Sequence, residues 1–553
     1  MAKIKTITSK KELIKKDEFS FMQWLTSAWI LAMLAFMPIY THNAYGDVLT
    51  TKYAVCLIAD GILIAGFVIW ALIAGRPAKY LKQMKSYADP GTGKWFGNWF
   101  KASFSILDIF MLAFLLIVII STLQASPYMY QAFFGNEGRW HGALIFILYA
   151  VTYFIVSRYY KFHKWHIVLF MLVFLFMCVW AITDYFMLDI YNFKVGIAEE
   201  HYSIFVSSIG NIDTFTAVAM IPFAFAGTVF LMNEETPWKN VFYWVCSFVS
   251  MISMITSSAD NAYLSFAAFF IFVPFFAFKT RHGIRRYLVM LASFVTALQL
   301  VVTWNTKYAG DVVTATGVVS VLEKIPQLKY VMIALWVVVI LVYIYDLVIK
   351  KVAITTPAPK IFRMIWLILV IAGFGGLIAL LVMANKAEPY IPAVLEPARE
   401  YLELTDSWGM WRMLVWKKMM ELYQNFPFIH KIFGSGPETA GIYIYNNFFE
   451  ELAKETGQMY DSPHNELFQM LFNLGPLGLI SYLGIYISPT IMSTQKRQKK
   501  WYPVIVAIAM VCICHLAECW VNIMVPMDIP VLFALLAVAG NLYHRHVGEV
   551  QYK

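Results

Sequence analysis

Charge is scarce in this sequence: Asp, Glu, Lys and Arg make up 14% of its 553 residues, while 60% are hydrophobic. A water-soluble domain needs more polar surface than that to cover its core, so a soluble globular protein is excluded and the bulk of the chain belongs in a bilayer. Cysteine is sparse too. The six cysteines (Cys56, Cys178, Cys246, Cys512, Cys514 and Cys519) all fall inside apolar runs, which argues against a disulfide framework and a CxxC zinc site. Also missing are an Asp-x-Asp pair for a divalent metal, a complete phosphate loop and a GxSxG nucleophile elbow. The GTGK at 91–94 lacks the spacing of a phosphate loop. No metal and no cofactor is therefore expected. No cleavable signal is expected either, because a lysine-rich polar tail precedes the first apolar run near Trp24.

What is present is apolar sequence in repeated lengths. Fourteen runs, from Trp24–Tyr40 to Val531–Leu542, are long enough to cross or nearly cross a bilayer, for which roughly 20 residues are needed. The fold expected is all-α: a polytopic helical membrane protein of about 14 transmembrane helices. Its parts are a cytoplasmic basic tail (1–22), eleven spans (23–383), a long extracytoplasmic loop (384–463), spans twelve to fourteen (464–543) and a second cytoplasmic tail (544–553). With the N-terminus inside, thirty of the 43 Lys and Arg residues fall in inner segments, although the longest loop is outer. Cationic residues are retained on the cytoplasmic side during insertion, so both termini are expected there. The net charge of +9 is then a topology signal, not a nucleic-acid footprint.

The outer loop is not low-complexity linker. In DSWGMWRMLVWKKMMELY, Trp408, Trp411, Val415 and Met419 recur at helical spacing, with Arg412, Lys417 and Lys418 nearby, which suggests a helix lying in the membrane interface. Gly434, Gly436 and Pro437 mark a tight turn. The loop ends on DSPHNELFQMLFNLGPLG. Ser462 reads as a helix N-cap, Pro463 as the first helical residue, and His464 and Asn465 as the first turn. A helix N-terminus disfavours imidazolium, and a neutral imidazole is what a general base needs. A bland alternative is an interfacial histidine that only finishes the cap. The outer face also holds Arg139 in GNEGRWHG, Arg399 and Arg412, which could bind a diphosphate or merely snorkel to headgroups. His515 and Glu518, three apart on the thirteenth span, read as a buried pair.

Four stretches resemble the O-antigen ligase and O-antigen polymerase superfamily of bacterial membrane glycosyltransferases. DSPHNELFQMLFNLGPLGLISYLGIY is similar to its HNxxLQxxxxxGxxGLxxYL signature. WRMLVWKKMMELYQNFPFIHKIFGSGPET, IGNIDTFTAVAMIPFAF and SPYMYQAFFGNEGRWHGAL resemble further family segments in the family's order. The resemblance implies metal-independent transfer of a glycan from a polyprenyl-diphosphate carrier on the outer face of the bacterial cytoplasmic membrane, in cell-surface polysaccharide biosynthesis. A glycan, lipid or protein hydroxyl would be the acceptor, with membrane lipids and no nucleic acid as partners. By the same resemblance His464 matches the family's base and Arg412 one of its diphosphate arginines, with Arg139 and Asn465 as further substrate contacts. There is one departure: SSADNAYLSF stands where many members carry Ser-Arg-Gly, so Asp260 occupies the region of an expected arginine and would bind a sugar hydroxyl or an acceptor amine instead. Two other classes stay open, a polysaccharide flippase and a non-catalytic envelope assembly partner. The ionisable candidates for transport are few: Asp60, His515 and Glu518.

Overall fold

A computed structural model describes residues 20–86, 96–233, 237–353, 355–494 and 501–551. The basic tail up to residue 19, the GTGK at 91–94 and the final two residues lie outside the described residues.

Each of the fourteen apolar runs lies on a helix. In chain order these are α1 (Ser20–Phe36), α2 (Val48–Ile73), α3 (Ile106–Leu123), α4 (Ala143–Tyr159), α5 (Lys164–Tyr185), α6 (Ile212–Met232), α7 (Pro237–Thr256), α8 (Asn261–Ala277), α9 (Arg281–Lys307), α10 (Leu328–Ile349) and α11 (Lys360–Ala384). Three cap helices follow: α12 (Trp408–Gln424), α13 (Phe428–Phe433) and α14 (Thr439–Thr456). The chain then forms α15 (Glu466–Thr494), α16 (Tyr502–Glu518) and α17 (Ile529–Gln551). Eight of them (α2, α3, α5, α6, α9, α10, α11 and α15) are long and apolar enough to cross a membrane; α1, α4, α8, α16 and α17 are shorter apolar helices. Strand is confined, among the described residues, to a two-residue antiparallel pair, Phe205–Val206 with Gly210–Asn211. The protein is a polytopic all-α membrane protein.

The bundle is built around α6, which is buried along almost its whole length and packs on α7 and α16. α15 lies between α3 and α16, and α17 lies against α4. By contrast, α10 and α11 expose nearly all of their apolar surface. In a membrane protein such surface faces lipid, which is as apolar as leucine and leaves nothing to bury.

Residues between α11 and α15 fold into a cap with its own small core. Leu414, Val415 and Met419 of α12 meet Phe426, Ala440, Ile444 and Leu452, together with Phe472 of α15. Of the expected apolar face of α12, Val415 and Met419, with Trp411 beside them, pack on α14 and α15. A facing apolar helix buries that stripe from both sides, whereas an interface buries it from one. The cap docks where α15 breaks. Pro476 has no amide hydrogen and Gly475 is non-helical (φ 68°), which frees carbonyls in the preceding turn. The Phe472 carbonyl accepts from Ser435 N–H at 3.1 Å and the Asn473 carbonyl from Gly436 N–H at 2.9 Å. Gly434 (φ 77°) makes this approach possible, since a Cβ there would sit 2.2 Å from the Asn473 backbone.

Candidate functional site

The cap delivers the chain into α15 through Asp461–Asn465. The Pro463 carbonyl accepts from the Trp416 indole N–H at 2.7 Å, and His464 takes a left-handed conformation, φ 47°. Asn465 then caps the helix, its Oδ1 accepting from Phe468 N–H at 2.9 Å. α15 thus begins later than expected: Ser462 is not the cap, Pro463 is not its first residue, and His464 lies outside it. The reason is that Asn caps as well as Ser, and the chain is pinned on both sides of His464. Trp416 holds Pro463, and Glu466 donates its backbone N–H to the Cys519 carbonyl at 2.7 Å instead of to a cap.

Three charged groups surround His464. Arg139 donates through Nη2 to both carboxylate oxygens of Asp461 at 2.7 Å. Arg412, from the first turn of α12, makes no hydrogen bond or ion pair with any described residue; Asp213 and Tyr460 are its electrostatic neighbours. Burial first, then the positive charges of Arg412 and Arg139, push the His464 imidazole down to about 4, with Asp461 pulling the other way. Burial also lowers the pKa of Arg412, with Asp213 opposing. Asp213 is set in the first turn of α6 because Asn211 caps that helix, accepting from Asp213 N–H at 2.9 Å and Thr214 N–H at 3.2 Å. Glu438, at the start of α14, is buried and raised to about 7 by that burial, despite Arg139 nearby. Its Oε1 accepts from the Gln469 amide at 3.3 Å.

Backbone strain gathers here. Non-glycine residues in the left-handed region include Trp140 (φ 59°), beside Arg139; Met410 and Trp411 (φ 57° and 67°), beside Arg412; Glu438 (φ 58°); and His464 itself. Such residues cost on the order of 1–3 kcal/mol each and persist where the surroundings over-determine them, often at functional sites. The turn at Gly409–Trp411 also means that α12 is not the continuous helix its spacing suggests. The Tyr460 hydroxyl donates to the Met410 carbonyl at 3.1 Å, tying that turn to the segment before His464.

The other expected residues are placed differently. Asn465 is buried and uses its side-chain oxygen as a cap. Asp260 accepts from Tyr401 O–H at 2.7 Å and from Val318 N–H at 2.9 Å, so both its oxygens brace loops of the chain. Gly317 (φ 55°) is needed for that brace: a Cβ would lie 2.1 Å from the carboxylate. Arg399 is taken up by Glu396 and Glu403. Asp60 accepts from the Trp29 indole at 2.7 Å, a partner that accounts for its place inside the bundle. His515 and Glu518 do not pair. His515 faces Glu466 (3.4 Å) and Asp528 (3.9 Å) instead, because those carboxylates come from the starts of α15 and α17 rather than from its own helix. Asp213, Trp416, Tyr460, Asp461 and Glu438 were not singled out by sequence reading. Asp213, Trp416, Glu438 and Asp461 lie inside the family-like stretches, which was the available signal; Tyr460 had none.

Residues 328–483 match the family model described as O-Antigen ligase. The matched segment contains Arg412, Asp461 and His464, and stops short of Arg139, Asp213 and Asp260. No curated protein matches the chain.

Proposed function

We propose, from the premise that residues 328–483 form a domain of the O-antigen ligase family, that the chain transfers or polymerises glycans held on a polyprenyl diphosphate. The observation that carries this is the pairing of a neutral-biased imidazole, His464, with a largely buried guanidinium, Arg412, that no described residue engages. His464 removes the proton from an acceptor hydroxyl as the oxygen attacks the anomeric carbon. The departing lipid diphosphate gathers negative charge, and Arg412, partly desolvated and uncommitted to other partners, stabilises it in the transition state. Arg139 already holds Asp461, so its part is to orient the His464 segment and add to the positive field. Asp213 plays the converse role, keeping Arg412 charged and aimed while no diphosphate is bound. Base and cation together accomplish the transfer without a divalent metal at the reacting atoms. On this reading the cap faces outward and both termini face the cytoplasm.

The test compares cells carrying the native chain, His464→Ala and Arg412→Gln, each checked for normal insertion. Envelope glycans are separated by size and lipid-linked intermediates are quantified. Loss of long chains with accumulation of single-unit lipid intermediates identifies a polymerase. Full-length chains retained on the carrier identify a ligase. General bases contribute roughly 10²–10⁴-fold, so product formation with His464→Ala drops by about that factor. Unchanged glycans in both variants would refute the reading.

A further inference from the structure

Beneath the His464 turn lies a second group of ionisable side chains, which the transfer chemistry does not use. Glu466, His515 and Cys519 are all buried, and their ligand atoms lie within 4.8 Å of one another. Glu466 Oε1 is 3.4 Å from His515 Nε2, and His515 Nδ1 is 3.9 Å from Asp528 Oδ2. The His515 side chain is 2% exposed, yet neither ring nitrogen has the geometry of a hydrogen bond. Both oxygens of Glu518 are buried and, among the described residues, make no well-formed hydrogen bond, with Ser265 and Asp528 as neighbours. Three carboxyl groups, a thiol and an imidazole thus share one buried region, and no described Lys or Arg forms an ion pair with any of them. Groups buried in this way pair with one another, keep their protons or hold a cation.

We propose that Glu466, His515 and Cys519 bind a divalent cation of the zinc class, structural in role, with a water in the fourth tetrahedral position. The donor set suits it: imidazole nitrogen, thiolate sulfur and carboxylate oxygen are zinc's usual ligands. With bonds of about 2.0–2.3 Å at a tetrahedral ion, neighbouring donors stand roughly 3.5 Å apart, close to the Glu466–His515 spacing. A carboxylate and a thiolate balance the two positive charges, with His515 neutral and the Cys519 proton released to solvent on binding. Asp528 stands 3.9 Å from the other ring nitrogen, where a small shift on metal binding would let it accept from that N–H, and the Tyr482 hydroxyl donates to Glu466 as outer-shell partners commonly do. The ion would clamp the start of α15 to the end of α16, two residues from His464, with all three ligands buried. This revises the expectation of a metal-free chain. The ligands come from two separate helix ends, so no compact spacing motif announced them.

The experiment is metal analysis of the full-length protein, purified without chelator from zinc-supplied cells, with no turnover measured, so that it stands or falls apart from the transfer reading. About one zinc per chain is expected if binding is as tight as at other structural sites. It should be lost in Cys519→Ala and His515→Ala and kept in Glu518→Gln. Cobalt substitution gives a second readout: thiolate-to-cobalt absorption in the native chain, absent in Cys519→Ser, which covers the case in which the alanine variants fail to fold. A monodisperse native chain carrying no zinc and showing no cobalt–thiolate band after reconstitution overturns the proposal. Zinc content that ignores the Cys519 and His515 substitutions overturns it equally.

Discussion

His464 is held neutral by what surrounds it more than by the helix it precedes. Burial and two guanidiniums push its pKa down to about 4 from an ordinary 6.5. The expectation of a neutral imidazole thus had the right sign but credited the helix dipole. A base that weak is a poor acceptor of a hydroxyl proton, but a bound diphosphate would neutralise Arg412 and relieve much of the repulsion. The acid limb of kcat/KM, which reports the free protein, should therefore lie near pH 4, and the limb of kcat, which reports the complex, should lie higher. Arg412→Gln should raise the kcat/KM limb toward 6.5 and shrink the gap between the two; coincident limbs in the native protein would remove Arg412 from the diphosphate. Linkage points the same way for stability. The unfolded chain protonates this histidine below about 6.5 while the folded one stays neutral down to about 4. Its contribution is thus fully present above pH 6.5 and is lost as pH falls through that window.

At the scale of elements, the helices were legible and their ends were not. Apolar length alone located all fourteen runs, because a bilayer permits little besides helices where backbone groups cannot reach water. The start of α15 was misplaced because Ser462-Pro463 is as good a local start signal as Asn465. The choice was made by Trp416 and Cys519, which are distant in sequence. The apolar stripe of α12 was legible in Val415 and Met419, but its packing on α14 and α15 was not, because periodicity shows that a stripe is buried, not against what. His515 was given Glu518 as its partner by i,i+3 spacing, whereas carboxylates from other helices lie against it. Where the cap meets the bundle, Gly434 offers a direct test. Alanine there meets both a left-handed φ and backbone 2.2 Å away, and should cost about 1–3 kcal/mol or more. Gly373→Ala in α11 has nothing within 4 Å of the new Cβ and should be near neutral. Thermal unfolding in detergent measures both. Equal stability of the two variants would mean that the cap does not rest on the α15 break.

For the whole molecule the open quantity is orientation, since a helical bundle can be read from either side. Lys and Arg counts put the cap outside, and the proposed function places the transfer on that face. The native cysteines make this measurable: all six are free and buried, so background labelling by a membrane-impermeant maleimide should be low. Two exposed loop positions report opposite ends of the fold: Thr405, just before α12, and Lys161, between α4 and α5. Thr405→Cys should react in intact cells, and Lys161→Cys only after permeabilisation. If the pattern is reversed, His464 and Arg412 face the cytoplasm. The acceptor would then have to be a cytoplasmic hydroxyl, and the positive-inside count would have failed despite thirty cationic residues against thirteen. If both positions react in intact cells, a crossing between α4 and α12 is missing. The place to look is α10 and α11, which pack least against the rest of the bundle.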